Sequence, residues 1–403
     1  MKNFKRSAGI PFDDAFEIVM GSARRLGTER VEIQRALNRI LAEDVVSDMD
    51  VPPFNKSAMD GFACRRADLA NELTVIETIP AGTPPQKAVG PNQCAKIMTG
   101  AVVPEGADCV IMVEHTESTG RNRVRFTRSR TETNICPRGE DIKRGDVVLG
   151  AGCKIGAQHI AVLASHGCVK PLVSSQPRVG IIATGNELVE PSRKPAFYQI
   201  RNSNGFQLAG QVEGAGAIAT NYGIAVDTEE ATDSMVKKAM EENDVVILSG
   251  GVSVGEYDLV RGVLKTNDFR LLFERVALKP GRPTVFGVSD EATRRYCFGL
   301  PGNPVSTFVT FELLVKPFLF KLMGHDFVPT VIDRRLEKTI RRKKTERDSW
   351  LPVVFTENYK AAWIEYHGAA HIGALCAADG LICMPAGVAE IKEGTTIAVR
   401  QIQ

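Results

Sequence analysis

The 403-residue sequence predicts a multi-domain protein that combines α/β and β parts. Three observations lead there. The chain exceeds what one hydrophobic core organises, and with 43% apolar residues it can bury the cores of about two to four compact units. After Pro177 apolar runs alternate with helix-patterned segments, as right-handed βαβ crossovers and a parallel sheet covered on both faces require. Outside that region the apolar runs are short and broken by glycine and proline, which reads as strands and loops.

The elements follow in order. Residues 12–26, FDDAFEIVMGSARRL, carry apolar side chains at helical spacing behind Asp13, a candidate N-cap. From Asp44 to about Gly156 the runs VPPF, IPAGTPP and GDVVLGAG give an irregular β-rich region. Then come the strand VGIIAT, a helix over 203–215, the strand AIATNYGIAV, a helix over 228–243 and the strand DVVILSG. A long apolar helix spans 304–324, with Pro304 at its first position, Pro317 as a kink and Gly324 as its end. Beyond Asp333 short turn-separated runs form a small separate β-domain.

Composition excludes several classes. Fifty basic against 48 acidic residues leave a formal charge of +2, so no global field marks nucleic acid or membrane as partner. The basic runs 121–130 and 341–347 read as solvated turns. Nine cysteines without a CxxC pair read as reduced, mostly buried thiols rather than a zinc site. With no export signal and no long apolar stretch, the expected location is cytoplasmic.

Three strand-to-helix junctions can face one crevice: IIATGNELVEP over 181–191, LSGGVSVGEYD over 248–258 and GLPGNPVST over 299–307. Gly185, Gly250, Gly251, Gly255 and Gly302 remove side chains where a phosphate must approach backbone N–H groups, and Ser253, Ser306 and Thr307 add hydroxyls. Asn303 can cap the third helix. A P-loop and GxGxxG are absent, so the expected ligand is anionic and phosphorylated but not held in either of those ways. Glu187 and Asp258 follow two of the turns, and carboxylates beside phosphate call for a divalent cation, most naturally Mg²⁺. Asp227 has two readings, since Asp227-Thr-Glu-Glu230 is also a capping box. Lys279 and Arg282 in VALKPGRPTVFG suit an oxyanion or an exposed hairpin tip. Asp60, Thr99 and Asp141 each pass as loop polar groups, and His367 and His371 lack the acidic residue of a zinc-protease helix.

Taken in order, PPF..SAMDGFA, IMTGA, GEDIKRGD, ATGNEL, SGGVSVGEYD, KPGRP and GLPGNPVS resemble the MoeA/gephyrin-type molybdopterin molybdenumtransferases over about residues 10–325. The resemblance implies a central three-layer α/β molybdopterin-binding domain over 177–328 and an irregular β-domain over 47–141. It also implies an N-terminal helical linker and dimerisation domain over 1–46 and 142–176, and a C-terminal β-barrel over 329–403. Proteins of this kind are homodimers that insert molybdenum from molybdate into adenylylated molybdopterin with Mg²⁺ and release AMP; a molybdopterin adenylyltransferase is the implied partner.

By motif match, Asp60, Asp141, Glu187, Asp227, Asp258 and Lys279 take catalytic positions, with Glu187 and Asp258 holding Mg²⁺. Thr99, Thr184, Gly185, Ser249, Gly250, Gly251, Ser253, Gly255, Arg282, Pro301, Gly302, Asn303 and Ser306 take binding positions. In the family Asp60 and Asp141 of one subunit join the α/β domain of the other. The chain departs from the pattern at Asn186, at Asn55-Lys56 and in the C-terminal domain. There Pro352 replaces an expected arginine and no Ser or Thr lies between His367 and Leu375; Arg347 can substitute if its loop bends back. The competing reading is a molybdopterin-binding carrier or scaffold without efficient molybdate insertion. A nucleotide-processing hydrolase of the competence-damage type is disfavoured by the added terminal domains.

Overall fold

The computed structural model describes residues 9–251, 259–290, 294–365, 368 and 371–402, and the chain divides into two compact units. One comprises the described residues up to Arg30, Asn38–Ala42 and those from Leu172 onward. The other comprises Val31–Leu37 and Glu43–Pro171.

The first unit is built on a six-stranded sheet in the order Ile218–Ala225, Arg178–Thr184, Val245–Ser249, Tyr296–Leu300, Val285–Val288 and Arg270–Phe273. Period-two alternation along the strands feeds two cores: Val179, Ile181, Val245, Ile247 and Phe298 face one side, while Ile182, Val246, Leu248 and Cys297 face the other. The first core is covered by Phe12–Ser22, Asn204–Gly214 and the helical run that starts at Pro304; the second is covered by Glu229–Glu242 and Leu259–Thr266. Helices on both faces were expected, but the sheet is not wholly parallel. Its first four strands are parallel, but Val285–Val288 runs antiparallel to both of its neighbours, because it is followed so closely by Tyr296 that no crossover helix can return the chain.

Two helices differ in detail from expectation. The first ends at Ser22, and Pro11 rather than Asp13 holds its N-cap position, leaving Asp13 in the first turn, where its charge opposes the helix dipole favourably. The run from Pro304 contains a π-helical stretch, Phe311–Val315, before Lys316–Leu322. Pro317 has no N–H for the carbonyl four residues back, and the widened turn just before it lets the helix continue. Gly324, at φ +78°, follows the helix end as anticipated.

The C-terminal strands Val331–Leu336, Asp348–Thr356, Lys360–Trp363, Gly380–Met384 and Thr396–Gln401 close on themselves through the pairing of Asp348–Thr356 with Gly380–Met384. They form a barrel around Leu336, Val353, Ala361, Ile382 and Val399. A strand from much earlier in the chain, Leu278–Lys279, adds to its side in parallel with Asp348 and Ser349.

The second unit holds a sheet in the order Cys109–Met112, Gly61–Cys64, Gln93–Ile97, Glu72–Ile79, Arg123–Phe126 and Thr116–Gly120. Gly61 is demanded by close strand approach, since a Cβ there would stand 1.9 Å from the Ile111 carbonyl oxygen. The basic runs are not plain turns. Arg123 and Arg125 lie on a hairpin strand, with Arg123 2.9 Å from Glu72, and Arg342 donates to the carbonyls of Val388 and Arg347 at 2.7 and 2.8 Å. All nine cysteines are free, with Cys64, Cys94, Cys109 and Cys297 buried. Among the described residues no helix is long and apolar enough to cross a membrane.

Candidate functional site

The strands ending at Thr184, Ser249 and Leu300 are neighbours in the sheet, so the loops leaving their C-terminal ends open side by side. They border a cleft of about 600 Å³. Thr184, Gly185, Glu187, Asp227, Ser249, Gly250, Gly251, Pro301, Gly302 and Asn303 all line it, so all three junctions read from the sequence do meet there. Ser253, Gly255 and Asp258 lie outside the described residues. Ser306 and Thr307 are buried in the first turns of the third helix and are not part of the lining. Arg282 also stands outside it, although the adjacent Pro283 contributes to the wall.

Local chemistry explains why the loops take this form. Gly250 has φ +101° and a Cβ there would stand 2.4 Å from the Thr184 carbonyl oxygen; Gly251 follows at φ +64°. At Gly185 an added Cβ would meet the Glu187 carboxylate at 2.6 Å, so Glu187 folds back over a residue that must lack a side chain. The two readings of Asp227 are separated by its neighbour. Thr228, not Asp227, caps the helix, its hydroxyl accepting the Ala231 N–H at 3.3 Å. Asp227 instead ties the first junction: its carboxylate accepts the Asn186 N–H at 3.1 Å, and its own N–H donates to Asn186 Oδ1 at 3.2 Å. Asn303 occupies the N-cap position but makes no side-chain capping bond, and its carbonyl accepts the Thr307 N–H at 3.0 Å.

Three buried polar atoms on residues lining the cleft have no partner: Thr184 Oγ1, Asn202 Nδ2 and Asn204 Oδ1. Each such atom costs about 1–3 kcal/mol unless something bonds to it, and three gathered at one cleft mark a place prepared for a polar ligand. Asn204 also holds the junctions together, donating to Ser249 Oγ at 2.8 Å and to the Gly302 carbonyl at 2.7 Å. The sequence reading missed both asparagines. Their only signal is the stretch RNSN at a helix start, where asparagine is an ordinary cap.

In the second unit Asp60 and Thr99 come together. The Asp60 carboxylate accepts the Thr99 N–H at 2.6 Å and its hydroxyl at 2.8 Å, and these bonds, the amide first, hold its pKa below the usual carboxylate range. Asp141 is exposed on a separate turn, its N–H donating to the Val51 carbonyl at 3.1 Å.

Lys279 is exposed on the strand that joins the barrel and pairs with Ser349. Arg347 donates to the Leu278 carbonyl at 3.3 Å, beside the lysine turn. Its pKa is lowered by burial first and by the nearby charge of Arg282 second, while Arg282 Nε is buried without a partner. Two guanidinium groups crowded at one turn favour an oxyanion between them. Pro352, by contrast, is buried in the barrel opposite Leu381 and has no donor to offer. Among the described residues no three His, Cys, Asp or Glu side chains cluster as metal ligands, and His367 lies outside those residues.

Comparison with known proteins agrees with this arrangement over nearly the whole chain. Residues 10–167 match the MoeA N-terminal region (domain I and II), 180–321 a probable molybdopterin binding domain, and 335–402 the MoeA C-terminal region (domain IV). A molybdopterin molybdenumtransferase of Staphylococcus epidermidis is 35% identical over 409 residues, covering 97% of this chain and 95% of the relative. One from Staphylococcus aureus is 35% identical over 404 residues with the same coverage of each. The crystal structure of a molybdopterin biosynthesis MoeA protein from Pyrococcus horikoshii superposes with a TM-score of 0.85 at 31% identity, covering 98% of this chain and 100% of that one.

Proposed function

Because the chain belongs to the MoeA family of molybdopterin molybdenumtransferases, enzymes of molybdenum cofactor biosynthesis, we propose that its cleft binds adenylylated molybdopterin, cleaves the phosphoanhydride and inserts molybdenum from molybdate. AMP is the leaving product. The observation that carries this reading is the convergence of Gly250, Gly251 and Gly302 with the carboxylates of Glu187 and Asp227 on one cleft at the strand ends. The bare glycine turns let phosphate oxygens approach backbone N–H groups, and the carboxylates would repel the same phosphates unless a cation stood between them.

Oxygen donors of this kind fit Mg²⁺, which binds through one or two carboxylates together with substrate phosphates. Glu187 and Asp258 would hold it, with Asp227 placing the attacking water; bound there, it neutralises phosphate charge and polarises the anhydride. Lys279 and Arg282 neutralise the oxyanion, and the approach of Arg347 to their turn supports a molybdate position that does not need an arginine at 352. Asp60, Thr99 and Asp141 come from a second copy in a homodimer, and an adenylyltransferase supplies the activated pterin.

The test is turnover by the purified chain given adenylylated molybdopterin, molybdate and Mg²⁺. AMP should appear in step with molybdenum cofactor, and Asp227→Asn should slow both by about tenfold or more. A folded protein that releases no AMP and forms no cofactor rejects the proposal. Pro352 motivates a second reading, a carrier that binds the pterin without using molybdate. It requires tight pterin binding with no dependence of cofactor yield on molybdate.

A further inference from the structure

The glycine turns account for the phosphate end of a ligand but leave the heterocyclic end unassigned. Asn202 and Asn204 supply what it needs. Asn202 is 1% exposed, and its Oδ1 accepts the Gly205 N–H at 3.0 Å. Asn204 is 8% exposed, and its Nδ2 donates to the Gly302 carbonyl. A backbone N–H meets only an acceptor and a carbonyl only a donor, so both amide orientations are fixed chemically. What is left over is therefore one donor, Asn202 Nδ2, and one acceptor, Asn204 Oδ1, each without a partner.

Phosphate cannot answer this pair, because its oxygens all accept and would leave Asn204 Oδ1 facing another acceptor. A carboxylate fails for the same reason. A flat nitrogen heterocycle whose edge sets an acceptor beside an N–H donor satisfies both. We propose that Asn202 and Asn204 hold the edge of such a ring, a chemistry shared by the 2-amino-4-oxo edge of a pterin and the amino edge of adenine. Thr184 Oγ1, also unpartnered on the same cleft, can donate or accept to the same ring. The inference rests on the reading of the cleft as the site of adenylylated pterin and assigns the ring end within it.

The test uses the full chain and two substitutions that keep a side-chain oxygen for the Gly205 N–H. Asn202→Ser shortens the side chain and takes away the amide donor, and Asn202→Asp replaces that donor with an acceptor. Calorimetric titration with molybdopterin, AMP and inorganic pyrophosphate is compared with wild type, and thermal melting checks that the fold is retained. A loss of about ten- to a hundredfold in affinity for one ring ligand, with pyrophosphate binding unchanged, is expected. Loss confined to molybdopterin assigns the pterin ring, and loss confined to AMP assigns adenine. Unchanged binding of both ring ligands, or an equal loss of pyrophosphate binding, overturns the inference while leaving the proposed function standing. A wild-type chain that binds none of the three overturns both.

Discussion

The bond pair from Thr99 to Asp60 sets a pH dependence that belongs to single side chains. The folded carboxylate has its pKa depressed below the unfolded value, so its stabilising bonds are intact above the ordinary carboxylate range and are lost as pH falls through the lower folded value. Protection of the Thr99 amide from hydrogen exchange, relative to the free amide at the same pH, should therefore hold at neutral pH and fall only at strongly acidic pH, whereas Asp60→Asn should abolish that dependence. Gly250 makes a second case. Gly250→Ala places a methyl 2.4 Å from the Thr184 carbonyl at a left-handed φ, and should cost more than about 1 kcal/mol in a denaturant titration. These glycines were legible because three of them cluster behind an apolar strand in LSGGVSVGEYD. Asn202 and Asn204 were not, since what distinguishes them is an unused hydrogen-bonding atom. That property exists only once Gly205 and Gly302 have claimed the other half of each amide.

Among whole elements, the helix Glu229–Glu242 separates structure from chemistry. Thr228→Ala removes its cap and should lower stability by about 0.5–2 kcal/mol without a matching loss in turnover. Asp227→Asn should do the reverse, slowing AMP release while the unfolding midpoint stays near wild type. Equal effects of the two substitutions on stability would return Asp227 to a capping role. The sequence could not choose between these residues, because Asp and Thr are both good caps and stand next to each other. Strand and helix order after Pro177 was legible from periodicity alone, but strand direction at the far edge was not. Direction there depends on whether residues 289–295 can hold a helix, and a short connection decides it sterically. The π-helical stretch before Pro317 was hidden for a related reason: proline announces a disturbed helix and not the form the disturbance takes.

At the scale of the molecule, the proposed pairing of copies has a direct genetic form. Asp60→Ala and Asp227→Ala should each be inactive alone, and mixing them under subunit exchange should restore part of the AMP release, because one hybrid site then carries both native aspartates. Mixing that restores nothing, in a preparation shown by native mass spectrometry to contain the hybrid dimer, would place both residues in one copy. The barrel was legible as a run of short strands, while its closure depended on Asp348–Thr356 finding Gly380–Met384, a pairing that no local pattern encodes. Arg347 became interpretable for the same reason, since its approach to Leu278 needs strand Leu278–Lys279 to dock beside Asp348.

That docked strand also limits how the gene can be cut. Leu278–Lys279 belongs by chain order to the α/β region and by hydrogen bonding to the barrel, so a polypeptide stopped short of Val331 would keep the lysine turn and lose the strand it leans on. Its unpaired backbone would then be an open invitation to aggregation. Modular shuffling of these regions between relatives should therefore succeed only when the KPGRP segment and the barrel travel together.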